Sequence, residues 1–176
     1  SEGTILVQAP GGGSVLIGGG ASPTNLRQML GERLNRTGQK LDWLVIGSPA
    51  RNDLNGLVGG IDLDRLGCMI WGIDPEANQT SRRATLQFLD QPTPIVQLEA
   101  GVSLDLGEEA NLSVLSKEDQ GAVIWLEWRN FSALIPTGKV GDAWLAIPES
   151  PAVVLLPDDV EAENFPLPII NACSPA

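Results

Sequence analysis

The chain has 176 residues and contains no histidine. Histidine is the side chain whose ordinary pKa lies closest to neutral pH, and its imidazole is the commonest metal ligand in proteins. Its absence excludes Ser–His–Asp and Cys–His catalytic arrangements and removes the usual general base. Imidazole chemistry therefore has no part in the function.

Long apolar runs and positive charge are also scarce. No run approaches the roughly 18–20 apolar residues that a membrane-spanning helix needs, and no secretion-signal pattern opens the chain. Lys and Arg number 11 against 22 Asp and Glu, which gives a net charge of −11 at pH 7. Such a surface repels phosphate backbones, so strong direct binding to nucleic acid is not expected.

The chain has only two cysteines, Cys68 and Cys173, and their spacing is not that of a metal site. Cys68 lies in an apolar run, which predicts a small buried core residue. A disulfide between the two would require an exported location, and the sequence leaves the pairing open.

The length and a hydrophobic fraction of 43% predict a single domain over residues 1–176. Because Ser1 opens directly on a strand-like run, we expect this domain to be a fragment of a longer protein. Ser22-Pro23 is typical of a helix start, with Leu26 and Leu34 at helical spacing and Gly38 as the expected stop. Further helices are predicted over residues 53–58 and 80–89. Strands are predicted over residues 4–8, 14–18, 41–46, 66–71, 95–98, 102–106, 111–115, 122–128, 131–135, 152–156 and 167–170, and residues 142–147 fit either state.

This order of strands and helices predicts two sheets packed face to face with helices outside. The run at residues 152–156, AVVLL, is typical of a fully buried strand. Trp125 and Trp128 are three residues apart on one predicted strand, so they point to opposite faces and at most one enters the core. An exposed Trp there would favour a partner surface.

Four segments carry a recognisable pattern: TILVQAPGGGSVLIGGG (residues 4–20), LDWLVIGSPARNDLNGL (41–57), AVIWLEWRNFSALIPTG (122–138) and AVVLLPDD (152–159). In this order they resemble parts of the metallo-β-lactamase superfamily, and in particular the C-terminal domain of the ComEC-type competence proteins. The resemblance implies an αββα sandwich, that is, two mixed sheets with outer helices.

The resemblance fails at the residues that carry the family's chemistry. The metal-ligand positions of the family fall on Gly18, Ser48, Ala50, Asn52, Asp53, Lys139, Asp158 and Asp159. Gly18 and Lys139 replace aspartates, and Lys139 and Arg51 put positive charge where the cations would lie. The resemblance therefore implies no metal, no cofactor and no catalytic residue. We expect Gly18, Ser48, Ala50, Asn52, Asp53, Lys139 and Asp158 to line one cleft between the sheets.

The expected function is that of a non-catalytic domain of a ComEC-type DNA-uptake protein. By resemblance, its partner is the membrane channel of the same protein, its contact with DNA is indirect, and it lies on the extracytoplasmic face of the cytoplasmic membrane. Two alternatives remain open. One is a metal-dependent phosphodiesterase or nuclease with an oxygen-only site at Asn52, Asp53, Asp158 and Asp159, and the other is an unrelated binding module on the same scaffold.

Other chemistries are weaker interpretations of the same residues. Ser48 and Lys139 would have to lie in tight geometry to act as a nucleophile and its base. The glycines at 11–13 and 18–20 are not followed by Lys-Ser or Lys-Thr, so tight turns explain them better than a phosphate-binding loop does. The acidic pairs at 108–109 and 158–159 do not have the spacing of an EF-hand loop and fit a solvated surface.

Overall fold

The computed structural model describes residues 3–34, 40–89, 91–141, 147 and 150–155. In this part of the chain, two five-stranded sheets pack face to face, and helices cover the outer face of the first. The predicted layered α/β architecture is confirmed for this part.

The first sheet is parallel except at one edge. Its strands lie in chain order, with β1 antiparallel to β2 and the following strands parallel. They are β1 (Ile5–Gln8), β2 (Ser14–Ile17), β3 (Leu41–Ile46), β4 (Leu66–Trp71) and β5 (Ile95–Gln97). Ser14 joins β2 to β3, because its hydroxyl and its backbone N–H both donate to the Asp42 carboxylate, at 2.9 and 2.8 Å.

The second sheet is antiparallel apart from its last strand. Its order is β10-β9-β8-β7-β6, and β10 runs parallel to β9. The strands are β6 (Ser103–Gly107), β7 (Ala110–Glu118), β8 (Gly121–Trp128), β9 (Phe131–Gly138) and β10 (Val153–Val154).

Helices connect the parallel strands. They are α1 (Pro23–Arg33), α2 (Arg51–Leu54), α3 (Leu57–Gly60) and α4 (Gln79–Leu89), with a 3-10 turn at Leu63–Arg65. The predicted start of α1 is confirmed: the Ser22 hydroxyl accepts the Asn25 N–H, and Pro23 is the first helical residue. Asn78 caps α4 by accepting the Ser81 N–H, and its amide donates to the Pro49 carbonyl at 2.8 Å, which ties this helix to the loop after β3.

The three central strands of the first sheet, β2, β3 and β4, are largely buried on both faces. Leu16, Leu44 and Met69 face the helices. In the same core the ring centroids of Phe88 on α4 and Trp71 are 5.4 Å apart. The alternate positions on the same strands face the second sheet. That inter-sheet core contains Val15, Ile17, Val45, Ile70, Leu112, Ile124 and Ile135.

Three details differ from the sequence predictions. The single helix expected over residues 53–58 is instead divided into the short helices α2 and α3, and the backbone leaves helical geometry at Val58, with ψ of 100°, and at Gly59, with φ of 78°. The strand expected over residues 152–156 is the two-residue strand β10, in which Val154 is buried and Val153 is half-buried, and Ala152 just before it is exposed. Within the described residues β10 pairs with β9. Cys68 on β4 is half-buried rather than in the core.

Other expectations have different outcomes. Trp125 is buried and Trp128 is 36% exposed, which confirms the expected separation of the two side chains. Gly38, Cys173 and the runs at 142–146 and 167–170 lie outside the described residues. Among the helices of the described ranges, none has the length and apolar character to cross a bilayer.

The helix-facing core should dominate stability. Leu44 is fully buried at the centre of the first sheet, whereas Leu86 on α4 is 61% exposed. We expect Leu44→Ala to lower the free energy of unfolding by about 2–5 kcal/mol, because it removes buried methyl groups and leaves a cavity. Leu86→Ala, the matched control, should change it by about 0.5 kcal/mol or less. Chemical denaturation followed by tryptophan fluorescence measures both, and equal effects would contradict this assignment of the core.

Candidate functional site

The predicted site residues that the structure describes lie at one edge of the sandwich. The parallel strands β2 and β3 end here, and the loops after them carry Gly18 and the segment from Ser48 to Asp53. The end of β9 comes to the same edge, because a Cβ on Gly47 would lie 2.5 Å from the Thr137 hydroxyl. Ligand sites of sheets with parallel strands form at this carboxyl edge.

Gly18 has no room for a side chain. Its φ is +70°, and a Cβ there would lie 2.1 Å from the Gly3 carbonyl oxygen and 3.8 Å from Oδ1 of Asp53. The backbone of Gly18 continues the sheet, since its N–H donates to the Val45 carbonyl at 3.0 Å. The Gly3 carbonyl therefore occupies the space that the first carbon of an aspartate side chain would need.

The glycines after Gly18 serve close backbone packing. The Gly19 N–H donates to the Asp53 carbonyl at 2.6 Å, and the Gly56 N–H donates to the Gly20 carbonyl at 2.6 Å. A Cβ on Gly19 would lie 2.2 Å from the Leu57 side chain. This packing of a strand-to-helix loop supports the interpretation of these glycines as turn residues.

Ser48 is a buried turn residue. It is 1% exposed, and its hydroxyl accepts the Ala50 N–H at 3.1 Å. A Cβ on Gly138 would lie 2.4 Å from that hydroxyl, so the end of β9 closes over it. A hydroxyl held in this way has no access to a substrate, and the structure gives no support to Ser48 as a nucleophile beside Lys139.

The other predicted positions differ in burial. Ala50, Asn52 and Lys139 are exposed, and Asp53 is half-buried. Asn52 and Asp53 lie around Gly3, because a Cβ on Gly3 would be 3.1 Å from the Asn52 carbonyl and 2.3 Å from Oδ1 of Asp53. The structure therefore brings Gly18, Asn52 and Asp53 together around Gly3, and it places Ser48 against Gly138, the residue before Lys139. Asp158 and Asp159 lie outside the described residues.

Two residues at this edge have no counterpart in the sequence predictions. Gly3 precedes the first recognisable strand, and no pattern indicates that its carbonyl would face Gly18. The Lys117 side chain reaches the same edge, since a Cβ added to Gly72 would lie 2.9 Å from Cε of Lys117. The Lys117 ammonium donates a hydrogen bond to the Glu118 carbonyl. Burial lowers the pKa of Lys117, and the charges of Asp119 and Glu118 oppose that shift. Predicting the position of Lys117 would have required the register of β7 against β8, in which Lys117 lies opposite Ala122.

The described residues at the liganding positions do not fit a pair of catalytic cations. Such a centre needs several anionic or imidazole ligands converging on one point. Gly18 and Ala50 offer no side-chain donor, and the Ser48 hydroxyl is engaged with the backbone. Within the described ranges, no three Cys, Asp or Glu side chains are grouped so that they could hold a metal ion.

The chain matches no protein-family model and no curated protein sequence. Its similarity to solved structures is clear. The metallo-β-lactamase fold protein YhfI from Bacillus subtilis superposes with a TM-score of 0.61 at 12% identity, over 86% of this chain and 62% of its own. This is the metallo-β-lactamase fold.

Two further structures share the fold. Zn²⁺-bound PqqB from Methylobacterium extorquens has a TM-score of 0.58 at 11% identity, over 86% of this chain and 55% of its own. The flavodiiron core of Flv1 from Synechocystis has a TM-score of 0.52 at 19% identity, over 75% of this chain and 32% of its own. The chain thus spans less than two thirds of each of these proteins, and at these identities the likeness concerns the fold alone.

The contact between Gly18 and Gly3 can be tested with a matched pair of glycines. Gly12 in the β1–β2 turn also has a positive φ, of 94°, but a Cβ there would meet nothing within 4 Å. Both alanine variants adopt a strained backbone, yet only Gly18→Ala also collides with a carbonyl. We expect Gly18→Ala to lower the free energy of unfolding by about 1–3 kcal/mol more than Gly12→Ala does. Urea titration measures the difference, and equal losses would show that the Gly3 carbonyl does not occupy this space.

Proposed function

We propose that the chain is a non-catalytic domain with the metallo-β-lactamase fold that acts through contacts with the rest of a ComEC-type DNA-uptake protein. The observation that carries the non-catalytic part is the Gly3 carbonyl oxygen at 2.1 Å from the Cβ position of Gly18. Backbone atoms fill the place where, by resemblance, the first metal ligand would project.

Hydrolysis of a phosphodiester by this fold depends on cations that polarise the substrate and acidify a bound water. Of the liganding positions in the described residues, only Asn52 and Asp53 keep oxygen donors suited to a hard cation, and Asp53 lies against Gly3. Lys139 is exposed at the same edge and carries the wrong charge to share a site with a dication. These features support a domain that has kept its scaffold without the metal centre.

The DNA-uptake role is supported by the four ordered sequence segments that resemble the ComEC-type domain. Each of the four contains at least one strand of the observed sandwich, and the glycine-rich loop at 18–20 makes the strand-to-helix turn expected of it. The partner is the membrane channel of the same protein, on the extracytoplasmic face of the membrane. The net charge of −11 makes the contact with DNA indirect.

Metal content separates this proposal from the oxygen-ligand hydrolase. The chain is purified without chelator, incubated with Zn²⁺ or Mn²⁺, desalted and analysed by plasma mass spectrometry, with a zinc-bound protein of the same fold as the positive control. We expect substoichiometric metal, and hydrolysis of bis(p-nitrophenyl) phosphate at the buffer rate in both the wild type and Asp53→Ala. Stoichiometric metal with hydrolysis that is lost in Asp53→Ala would establish the hydrolase instead.

The DNA-uptake role has a separate test in the source organism. We expect the reading frame that contains the chain to encode several membrane-spanning segments, and an in-frame deletion of residues 3–155 to lower transformation frequency. Asp53→Ala should leave that frequency unchanged, because no metal chemistry is lost. A frame without such segments, or normal transformation after the deletion, would favour a binding module unrelated to DNA uptake.

A further inference from the structure

A cavity of about 350 Å³ lies at the opposite end of the first sheet from the candidate site. It is bounded by the second half of α1, the first residue of β3, and the segment from Gly59 to Arg65 that leads into β4. The six residues of β3 separate it from the carboxyl edge by about 17 Å, at about 3.3 Å per residue. Its size is at the lower end of the range found for small-molecule sites.

The floor of the cavity is apolar. Leu34 and Leu41 are buried, and Leu30 and Ile61 are partly buried against the same helix-facing core. On α1, Leu30 and Leu34 are four residues apart and thus share one face, which Arg27 extends by one more turn. A ligand that enters the cavity therefore contacts aliphatic carbon along one side.

The rim is cationic, although the chain as a whole is strongly acidic. Arg27 and Arg65 both line the cavity, and among the described residues that line it Asp62 is the one with an acidic side chain. Asp62 has a structural task, since its carboxylate accepts the Asp64 N–H and caps the 3-10 turn. The Arg27 guanidinium donates to the Gly59 carbonyl, which fixes its position and uses one of its five N–H groups.

Gly31 lines the same cavity from inside an eleven-residue helix. Glycine is the weakest helix former after proline, so its place in the interior of α1 has a cost in helix stability. Gly31 therefore contributes to the cavity wall without a side chain.

We propose that this cavity is a binding site for a small amphipathic monocarboxylate. The aliphatic body of the ligand lies on Leu30, Leu34 and Leu41, and its carboxylate lies at the rim between Arg27 and Arg65. A guanidinium matches a carboxylate in shape and charge, and the apolar floor accounts for a preference for acids with a hydrocarbon tail. The site is separate from the carboxyl edge and does not depend on the proposed function.

Isothermal titration calorimetry with octanoate tests the proposal, with octanamide and octylamine as neutral and cationic counterparts. We expect octanoate to bind with a Kd on the order of 0.1–1 mM, and the other two compounds to bind about tenfold more weakly or not at all. Arg27→Gln and Arg65→Gln should each weaken octanoate binding by about tenfold. Arg33→Gln is the matched control, since Arg33 ends the same helix and does not line the cavity.

Gly31→Phe should abolish octanoate binding by filling the cavity, with its fold checked by near-ultraviolet circular dichroism. Equal affinity for octanoate and octanamide would overturn the carboxylate assignment. Unchanged binding in Arg65→Gln, or in a folded Gly31→Phe, would overturn the location. If Gly31→Phe does not fold, the two glutamine variants against Arg33→Gln decide the question.

Discussion

The carboxyl edge of the first sheet is held by backbone packed directly on backbone. Gly18 approaches the Gly3 carbonyl, Gly19 bonds to the Asp53 carbonyl, and Gly56 bonds to the Gly20 carbonyl. Each approach is possible only because the residue has no Cβ. This contact fixes the path of the chain from β2 into α1, and α1 in turn covers the sheet on which the helix-facing core is built.

The same contact decides what the edge can do. Catalytic centres at the ends of parallel strands depend on side chains that converge in a cleft. Here the space beside Gly18 contains the Gly3 carbonyl, and the Ser48 hydroxyl is directed at the Ala50 backbone beneath Gly138. Polar atoms that could have bound a ligand stabilise the loops instead. The scaffold tolerates this replacement, because strand residues such as Leu16, Leu44 and Val45 form much of the cores on either side of the first sheet.

Sequence patterns predicted most of the strands, because each pattern records a local cause. The alternation that buries Leu44 toward the helices and Val45 toward the second sheet follows from the two-residue period of a strand, and Ser22-Pro23 marks a helix start by its own hydrogen bond. The failures are positions where a distant segment decides the outcome. The expected helix over residues 53–58 lies where Gly56 packs closely on the Gly19 carbonyl, and the burial of residues 152–156 depends on the strands that flank β10, which in the described residues pairs with β9.

The site was harder to predict than the fold for the same reason. Resemblance predicted that the liganding positions lie together, and those that the structure describes share one edge because they follow strand ends that the sequence locates well. It could not indicate that the Gly3 carbonyl faces Gly18, or that Lys117 ends beside Gly72, because both contacts join segments separated by 15 or more residues without a shared pattern. The sequence around a serine such as Ser48 does not show whether its hydroxyl is exposed or buried in the folded protein. Ser48 is identified as a turn residue and not a nucleophile by the close approach of Gly138 to its hydroxyl. That approach depends on where β9 ends relative to β3.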